Sequence, residues 1–296
     1  MKYLVFPLTL LLAVLFSCED TFEIDSRFET PQIVVDAWLT DQPVPQTITL
    51  TETQDYFDPS RPAGLADGTV SVCRTTDDTC FTFTHTTEGR YVWTPAPGQT
   101  IGTVGDAFEL TIQRGEETYT AQSSLRRVPP IDSISVQFED GLGPGAEDGL
   151  YSQLYARDFP GTGDTYWIRT TINDTLLNRP EEILLAYDAT FDAGTETDGI
   201  AFIFPIRFGI NRENEDGDLI PFVTGDSIAV DLLAINPIAF QFLQIAQEQI
   251  LLGDSGIFAP PSANSPSNIV RQSDGKFILG IFNVSSVSSA VKVVEE

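Results

Sequence analysis

Apolar and polar residues alternate along most of the chain between residues 32 and 125, and this pattern predicts a series of short β-strands. In Asp106–Arg114, for example, Phe108, Leu110 and Ile112 recur at every second position, as in a strand with one buried face. Seven such segments, separated by turn residues, fit within about ninety residues. This spacing predicts a β-sandwich of immunoglobulin-like or transthyretin-like size over residues 32–125. The segments are Gln32–Thr40, Gln46–Thr53, Val70–Cys73, Cys80–Phe83, Arg90–Thr94, Asp106–Arg114 and Glu117–Ser123.

The chain beyond residue 130 predicts a second, antiparallel β domain over residues 131–296, so the fold class is mainly β. Prolines end Arg126–Pro130, and because proline cannot continue a strand ladder, this segment marks the boundary. One packed helix is predicted at residues 237–252, where Asn236 and Pro237 suit a helix start. Its apolar positions, predicted to face the second sheet, are Ala239, Phe242, Leu243, Ala246 and Ile250. The predicted strands are Ile131–Phe138, Leu150–Asp158, Thr165–Asn173, Gly199–Ile210, Asp226–Ile235, Lys276–Val284 and Val287–Val294.

Residues 1–17 have the pattern of a bacterial lipoprotein signal peptide. Leu4–Phe16 is an apolar run too short to span a bilayer permanently. The motif Leu15-Phe16-Ser17-Cys18 resembles a lipobox, in which cleavage before the cysteine is followed by its acylation. We therefore expect Cys18 to carry lipid, since several acyl chains anchor stably, and residues 18–31 to form a tether. An ordinary secretory signal with an incidental cysteine is the alternative.

Cys73 and Cys80 are predicted to form a disulfide across a β-hairpin. Two neighbouring cysteines in an exported protein are usually joined. Pairing Cys73 with Cys80 also pairs Val72 with Phe81, so the apolar side chains share one face and the sulfurs lie on the other. The bridge closes a short loop, so its entropic contribution to stability should be modest.

The charge balance excludes several classes of partner. The chain has a formal net charge of -27 over 296 residues. Lysine occurs at three positions only, Lys2, Lys276 and Lys292. Such a field repels nucleic acid and anionic lipid headgroups, so neither is an expected partner.

The motifs with catalytic associations are weak, and no catalytic residue, metal site or cofactor is predicted. Gly253-Asp254-Ser255-Gly256 is similar to the nucleophile segment of trypsin-like proteases, but as a turn after a helix it needs no catalytic explanation. Its base would have to be His85, the one histidine of the chain, which we expect to be a hydrogen-bonded structural residue. A zinc site has too few preferred ligands.

Two acidic loops leave calcium binding open. Aligning Asn211–Asp218 with an EF-hand loop puts Arg212 at the first ligand position and Val223 at the position of the bidentate glutamate, so that match fails. An irregular calcium site here, or in Glu139–Asp148, is the alternative to a solvated loop.

Exposed aromatic residues are the usual means of holding a sugar or peptide at an extracellular surface. Tyr56 and Phe57, in the loop after the second predicted strand, are candidates, and so is Trp167. Trp167 alternates with Arg169 in a predicted strand, which favours a core position. No ligand-binding residue is assigned on this basis.

Several segments match one known family in their order along the chain. They are Cys18-Glu19, Pro31–Thr40, Gly89-Arg90-Tyr91, Asp106–Tyr119, Pro266–Ile269 and Leu279–Phe282. In these segments the chain resembles the Bacteroidota lipoproteins called domain of unknown function 4249. In lipoproteins of the Bacteroidota, acidic residues after the acylated cysteine, here Glu19 and Asp20, accompany export to the cell surface. The resemblance implies an accessory protein beside a TonB-dependent outer-membrane transporter and supplies no catalytic residues.

Together with this resemblance, the sequence predicts a lipid-anchored outer-membrane protein, exposed at the cell surface, that is not an enzyme. An anchor that faces the periplasm is the alternative to surface exposure. Its expected partners are the membrane through its lipid, a TonB-dependent barrel, and a small nutrient, peptide or glycan. A structural or adhesive lipoprotein that binds another surface protein is the second hypothesis. An unrecognised hydrolase is the third, because paired carboxylates leave no local signature among 43 acidic residues.

Overall fold

The computed structural model describes residues 31–54, 58–140, 147–191, 198–252 and 264–295. The expected signal peptide, Cys18 and nearly all of the tether lie outside these ranges. Fifteen strands, two α-helices and one short 3-10 turn at Pro180–Glu182 form the described fold. The strands are β1 (Ile33–Thr40), β2 (Gln46–Glu52), β3 (Gly68–Arg74), β4 (Thr79–His85), β5 (Arg90–Trp93), β6 (Ala107–Arg114), β7 (Glu117–Ser124), β8 (Ile131–Glu139), β9 (Gly149–Ala156), β10 (Thr165–Ile172), β11 (Thr175–Leu176), β12 (Leu184–Tyr187), β13 (Ser227–Ala234), β14 (Ile269–Arg271) and β15 (Leu279–Val293), and the helices are α1 (Phe204–Phe208) and α2 (Pro237–Leu252).

The predicted fold class, mainly β, is confirmed. One large mixed sheet has the order β11-β10-β13-β15-β1-β2-β5-β4-β3-β6-β7-β14, with β12 added beside β10, and β8 pairs with β9 separately. The sheet folds back on itself at the short pairing of β4 with β5, where Thr84 lies opposite Val92 and His85 opposite Tyr91. Because of this turn, the inward faces of β1 and β2 pack against those of β3 and β6 in a single buried core.

This core forms because every second residue of each strand points to the same face of the sheet. In β1, Ile33, Val35, Ala37 and Leu39 are buried, whereas the residues between them are more exposed. The same alternation buries one face of β6. All seven strands predicted between residues 32 and 125 are present, with ends that differ by a few residues.

Strand β15 connects the two halves of the molecule. Residues 279–285 pair in parallel with β1, and residues 286–293 pair antiparallel with β13. The parallel contact requires glycine at position 280, because a Cβ there would lie 1.9 Å from the carbonyl oxygen of Val35. Because β15 is continuous over Leu279–Val293, the two strands predicted at Lys276–Val284 and Val287–Val294 form a single strand.

The C-terminal part of the chain also contributes strands to the first sandwich. The predicted domain boundaries, 32–125 and 131–296, placed these strands in the second domain. β14 pairs with β7, and the first half of β15 pairs with β1. Phe282 and Val284 of β15 lie in the same core as β1 and β6. Residues 269–285, assigned to the second domain by the sequence pattern, complete the first.

The strand predicted at Gly199–Ile210 is wrong. Only an isolated bridge between Ala201 and Arg157 occurs there, and the chain then forms helix α1. Pro205 lies in the first turn of α1, where its missing N–H costs no hydrogen bond. Ile206 points from this helix into the second core, which is formed with β9, β10 and β13.

Helix α2 has the predicted bounds and covers the outer face of the large sheet. Ala239 and Leu243 are buried there, and the helix packs over Trp38 and Trp167. Ile250, predicted to face the sheet, is instead 62% exposed, and the last two residues of the helix, Leu251 and Leu252, are exposed as well. Within the described ranges, neither helix has the length and hydropathy of a bilayer-spanning helix.

Candidate functional site

The predicted disulfide is present. Cys73 and Cys80 lie opposite each other on β3 and β4, and the register also pairs Val72 with Phe81. Val72 and Phe81 are buried in the sandwich core, whereas Cys80 is exposed. The bridge therefore lies on the solvent side of the hairpin, as the pattern predicts.

His85 differs from expectation in the hydrogen bonding of its Nε2 atom. It is half-buried, and its ring contacts Tyr91 edge to face at 5.2 Å between centroids. Its Nε2 atom is buried without a hydrogen-bond partner among the described residues. The nucleophile-like segment Gly253-Asp254-Ser255-Gly256 lies outside the described residues.

Of the three aromatic candidates, the structure describes Trp167 alone. Tyr56 and Phe57 lie outside the described residues. Trp167 lies half-buried beneath α2, with its ring 5.2 Å from that of Trp38 and the Arg169 guanidinium 5.4 Å from its centroid. Trp167 is thus a packing residue, in line with its place in the strand pattern.

The acidic loop at Asn211–Asp218 is a turn held by hydrogen bonds within the loop and from Arg179 outside it. The Asn214 side-chain oxygen accepts hydrogen bonds from the backbone N–H groups of Asp216 and Asp218 at 2.9 and 2.8 Å. Arg179 donates to the carbonyl oxygens of Glu213 and Asn214. The second loop, Glu139–Asp148, lies partly outside the described residues.

A cluster of three aspartates lies elsewhere, where the loops after β9 and β12 meet. Asp158, Asp188 and Asp198 each place a carboxylate oxygen within 4.8 Å of the others, the one such group of metal-ligating side chains found within the described ranges. Asp158 and Asp188 are only 2% and 4% exposed. A bulky substrate therefore cannot reach their carboxylates.

Protein donors already bind these carboxylates. Asp158 accepts hydrogen bonds from the Tyr166 hydroxyl at 2.6 Å and the Gly199 N–H at 3.3 Å. Asp188 accepts from the N–H groups of Gly163 and Asp164, and Asp198 from that of Gly161. Burial raises the pKa of Asp158, and the Tyr166 hydroxyl partly opposes this rise. The cluster thus fixes three turns against one another.

Two arginines of the predicted boundary segment tie the same loop to the sandwich. Arg127 binds the Asp164 carboxylate at 2.6 Å and the Pro160 carbonyl oxygen at 3.0 Å. Arg126 donates to the Gly163 carbonyl oxygen at 2.7 Å. An open cleft of about 440 Å³ lies between these residues. Both guanidinium groups are thus held by acceptors of the same loop, with Asp164 as the one carboxylate that both approach, at 3.7 Å from Arg126 and 2.6 Å from Arg127.

An apolar groove of about 440 Å³ lies beside β7, β14 and the start of α2. Phe277, at its rim, is 68% exposed, which is unusual for an aromatic side chain. Ile238 and Val270 extend the apolar lining. The lining residues, which we call the Phe277 groove, are Thr120, Ala121, Gln122, Ile238, Ser267, Asn268, Val270, Gln272 and Phe277.

Hydrogen bonds hold the walls of the Phe277 groove in place. Asn268 donates to the carbonyl oxygens of Gln122 and Phe282 at 3.0 and 2.8 Å and accepts from the Phe282 N–H at 3.0 Å. It thereby joins the edges of β7 and β15. Gln272 donates to the Thr120 hydroxyl at 2.6 Å. The groove is therefore preformed.

A family model described as a domain of unknown function, DUF4249, matches residues 19–290. The chain belongs to the DUF4249 family. A solved structure concerned with host cell surface retention of a 1.5-MDa bacterial ice-binding adhesin is similar to 90% of this DUF4249 chain at 10% identity and a TM-score of 0.20. The chain spans 65% of the length of that structure, and a TM-score this low carries no argument. No curated protein matches the chain.

Sequence reasoning missed both the aspartate cluster and the Phe277 groove of this DUF4249 protein. The three aspartates come from separate turns. Their local signal was glycine near two of these turns, Gly161 and Gly199, both with positive φ, whereas in the third turn Asp188 itself has positive φ. The groove depends on β14, a strand too short to show a period. The one sign of the groove in the sequence was an aromatic residue, Phe277, next to the charged residue Lys276.

Proposed function

We propose that this DUF4249 protein is a lipid-anchored outer-membrane protein that binds a nutrient at the cell surface and assists a TonB-dependent transporter without catalysis. The observation that carries the proposal is the family match, which begins at residue 19, directly after Cys18. The matched region thus coincides with the polypeptide expected after lipobox cleavage. The family itself is of unknown function, so its match supplies no reaction.

The two sites of the described fold support binding in preference to chemistry. In the aspartate cluster, Asp158 and Asp188 are buried and Asp198 is half-buried. All three carboxylates accept hydrogen bonds from backbone N–H groups, and Asp158 also accepts one from the Tyr166 hydroxyl. The Phe277 groove is open but its lining has no titratable group among the described residues. An accessible site whose hydroxyl groups, those of Thr120 and Ser267, have no acid or base beside them in the lining can hold a molecule but offers no partner for proton transfer.

The charge of the chain supports an anchor made of lipid. At -27, the protein is repelled by anionic headgroups, so surface electrostatics cannot hold it at a membrane. Acyl chains on Cys18 would hold it there irrespective of this repulsion.

Replacing Cys18 with serine tests the anchor. We expect Cys18→Ser to leave the membrane fraction and to lose the mass of its acyl chains, as measured by fractionation and intact-mass spectrometry. The double variant Cys73→Ser/Cys80→Ser is the matched control, because it loses cysteines but keeps Cys18 and should stay membrane-bound. A Cys18→Ser protein that remains acylated in the membrane contradicts the proposal.

Affinity purification tests the partner. A tagged protein purified from solubilised outer membranes should bring down a TonB-dependent barrel, identified by mass spectrometry. Recovery of a surface protein of another class, with no barrel, would instead favour the structural or adhesive alternative.

A further inference from the structure

We propose that the Phe277 groove binds an uncharged sugar, so that a neutral oligosaccharide is the class of nutrient captured. This inference rests on the proposed function and names its ligand. It stands on three features of the groove: its lack of charge, its exposed aromatic ring, and its uncommitted neutral hydrogen-bonding groups.

The lining of the groove has no charged residue, although the chain as a whole is strongly acidic. One residue in five of the sequence is charged, and acidic residues number 43. None of the nine described lining residues is Asp, Glu, Lys, Arg or His. An anionic ligand would find no cation there and a cationic ligand no carboxylate, so charge complementarity favours an uncharged ligand.

Phe277 supplies a flat apolar surface at the rim. The residue is 68% exposed, and the apolar side chains of Ile238 and Val270 continue the surface into the groove. A sugar ring presents C–H groups on one face and hydroxyls around its edge. The C–H face can therefore lie on the aromatic ring, and apolar area is removed from water on both sides.

Neutral polar groups surround this apolar floor. Gln122 is exposed and presents a side-chain amide with both a donor and an acceptor. Gln272 uses its amide nitrogen on the Thr120 hydroxyl, which leaves its own amide oxygen and the Thr120 hydroxyl proton for a ligand. Sugar hydroxyls donate and accept, and they match this mixed set better than a purely apolar peptide does.

The groove also has the dimensions and rigidity of a small-molecule site. Its volume of about 440 Å³ is within the usual range for ligand pockets. Asn268, fixed by hydrogen bonds to both β7 and β15, forms part of its wall. A preformed wall loses little conformational entropy when a ligand binds.

Binding to purified full-length protein tests the proposal. The probes are neutral oligosaccharides derived from starch, cellulose, xylan and mannan, titrated by calorimetry, with an oligogalacturonate as the anionic comparison. We expect at least one neutral probe to bind with a Kd below about 1 mM and the anionic probe to bind much more weakly. Phe277→Ala should weaken the neutral probe by about tenfold or more.

Phe138→Ala is the matched control, because Phe138 is 64% exposed on β8, outside the groove. It should bind the sugar like the parent protein, and circular dichroism should show both variants folded. If no neutral probe binds at about 10 mM, or if the two variants bind equally, the proposal is overturned. A groove that binds only an apolar dye, in a Phe277-dependent manner, also overturns it in favour of an apolar peptide. These titrations need neither membrane nor transporter, so their failure is distinguishable from failure of the anchor or of the barrel pairing.

Discussion

At the scale of single residues, the aspartate cluster depends on a few donors placed inside the fold. Asp158 is nearly fully buried, and its carboxylate is bound by the Tyr166 hydroxyl and one backbone N–H. No sequence pattern identified this contact, because Tyr166 follows the strand period and Asp158 follows a strand end. The residue types were visible in the sequence, but their proximity depends on how the loop after β9 folds back.

Replacing Tyr166 with phenylalanine should destabilise the protein in a pH-dependent manner. Loss of a hydrogen bond to a buried carboxylate costs about 2 kcal/mol of unfolding free energy near pH 7. Burial already raises the pKa of Asp158 above 3.8, so the folded state takes up its proton before the unfolded state does as the pH falls. Ionised Asp158 therefore destabilises the fold above that raised pKa. Protonation relieves this cost progressively as the pH falls through the raised pKa towards 3.8. A protonated carboxyl also depends less on the hydroxyl, so the difference between variant and parent should shrink.

Urea unfolding at about pH 7 and about pH 4.5 would measure this change. Tyr119→Phe is the matched control, since Tyr119 is buried but its hydroxyl has no hydrogen bond within the described part of the chain. Its cost should be small at both pH values. Equal costs for the two variants, or a Tyr166→Phe cost that does not fall with pH, would refute the role assigned to this contact.

At the scale of elements, local periodicity predicted most strands and the long helix. The period of two agrees with the register of the Cys73–Cys80 hairpin, which places Val72 and Phe81 opposite each other on the buried face. The 3.6-residue period placed α2 at Pro237–Leu252. The pattern misled at Gly199–Ile210, where alternating apolar residues indicated a strand but Pro205 favours a helix start. Tertiary packing of Ile206 decides between the two, and a local pattern does not contain it.

Removing the disulfide should cost little stability. The two cysteines are separated by seven positions, so the bridge restricts only a short loop of the unfolded chain. The loop-entropy relation gives a contribution of about 2.4 kcal/mol, at the low end for disulfides, and the buried pair Val72 and Phe81 is unaffected. Cys73→Ala/Cys80→Ala should therefore fold and unfold cooperatively at a slightly lower urea concentration. Reduction of the parent protein should give a similar shift. A variant that fails to fold would show that the hairpin depends on the bridge and not on its apolar face.

At the scale of the whole molecule, the decisive feature is the return of the C-terminal strands to the N-terminal sheet. β1 and β15 pair over residues separated by about 245 positions, so no local pattern connects them. The near-continuous burial of β15 from Gly280 to Ser286 is typical of a strand inside a sheet, but it does not name the neighbour. Sequence reasoning thus predicted the layers and missed the connection between them.

This connection predicts that residues 32–125 do not fold alone. Without β14 and β15, the fragment loses Ile269, Ile278, Phe282 and Val284 from its core and leaves the edge of β1 unpaired. We expect the isolated fragment to show no cooperative urea transition. The matched comparison is a fused fragment in which a flexible linker joins residues 32–125 to residues 268–286, which restores both edge strands and all four core side chains. Since the Asn268 amide contacts Gln122 at 3.0 Å, a short linker from residue 125 spans the gap without strain. The fused fragment should regain a cooperative transition and the dispersed amide spectrum of a folded sheet. Cooperative unfolding of residues 32–125 on their own would mean that the sandwich is complete without the C-terminal strands, and that β15 only attaches the second half to it.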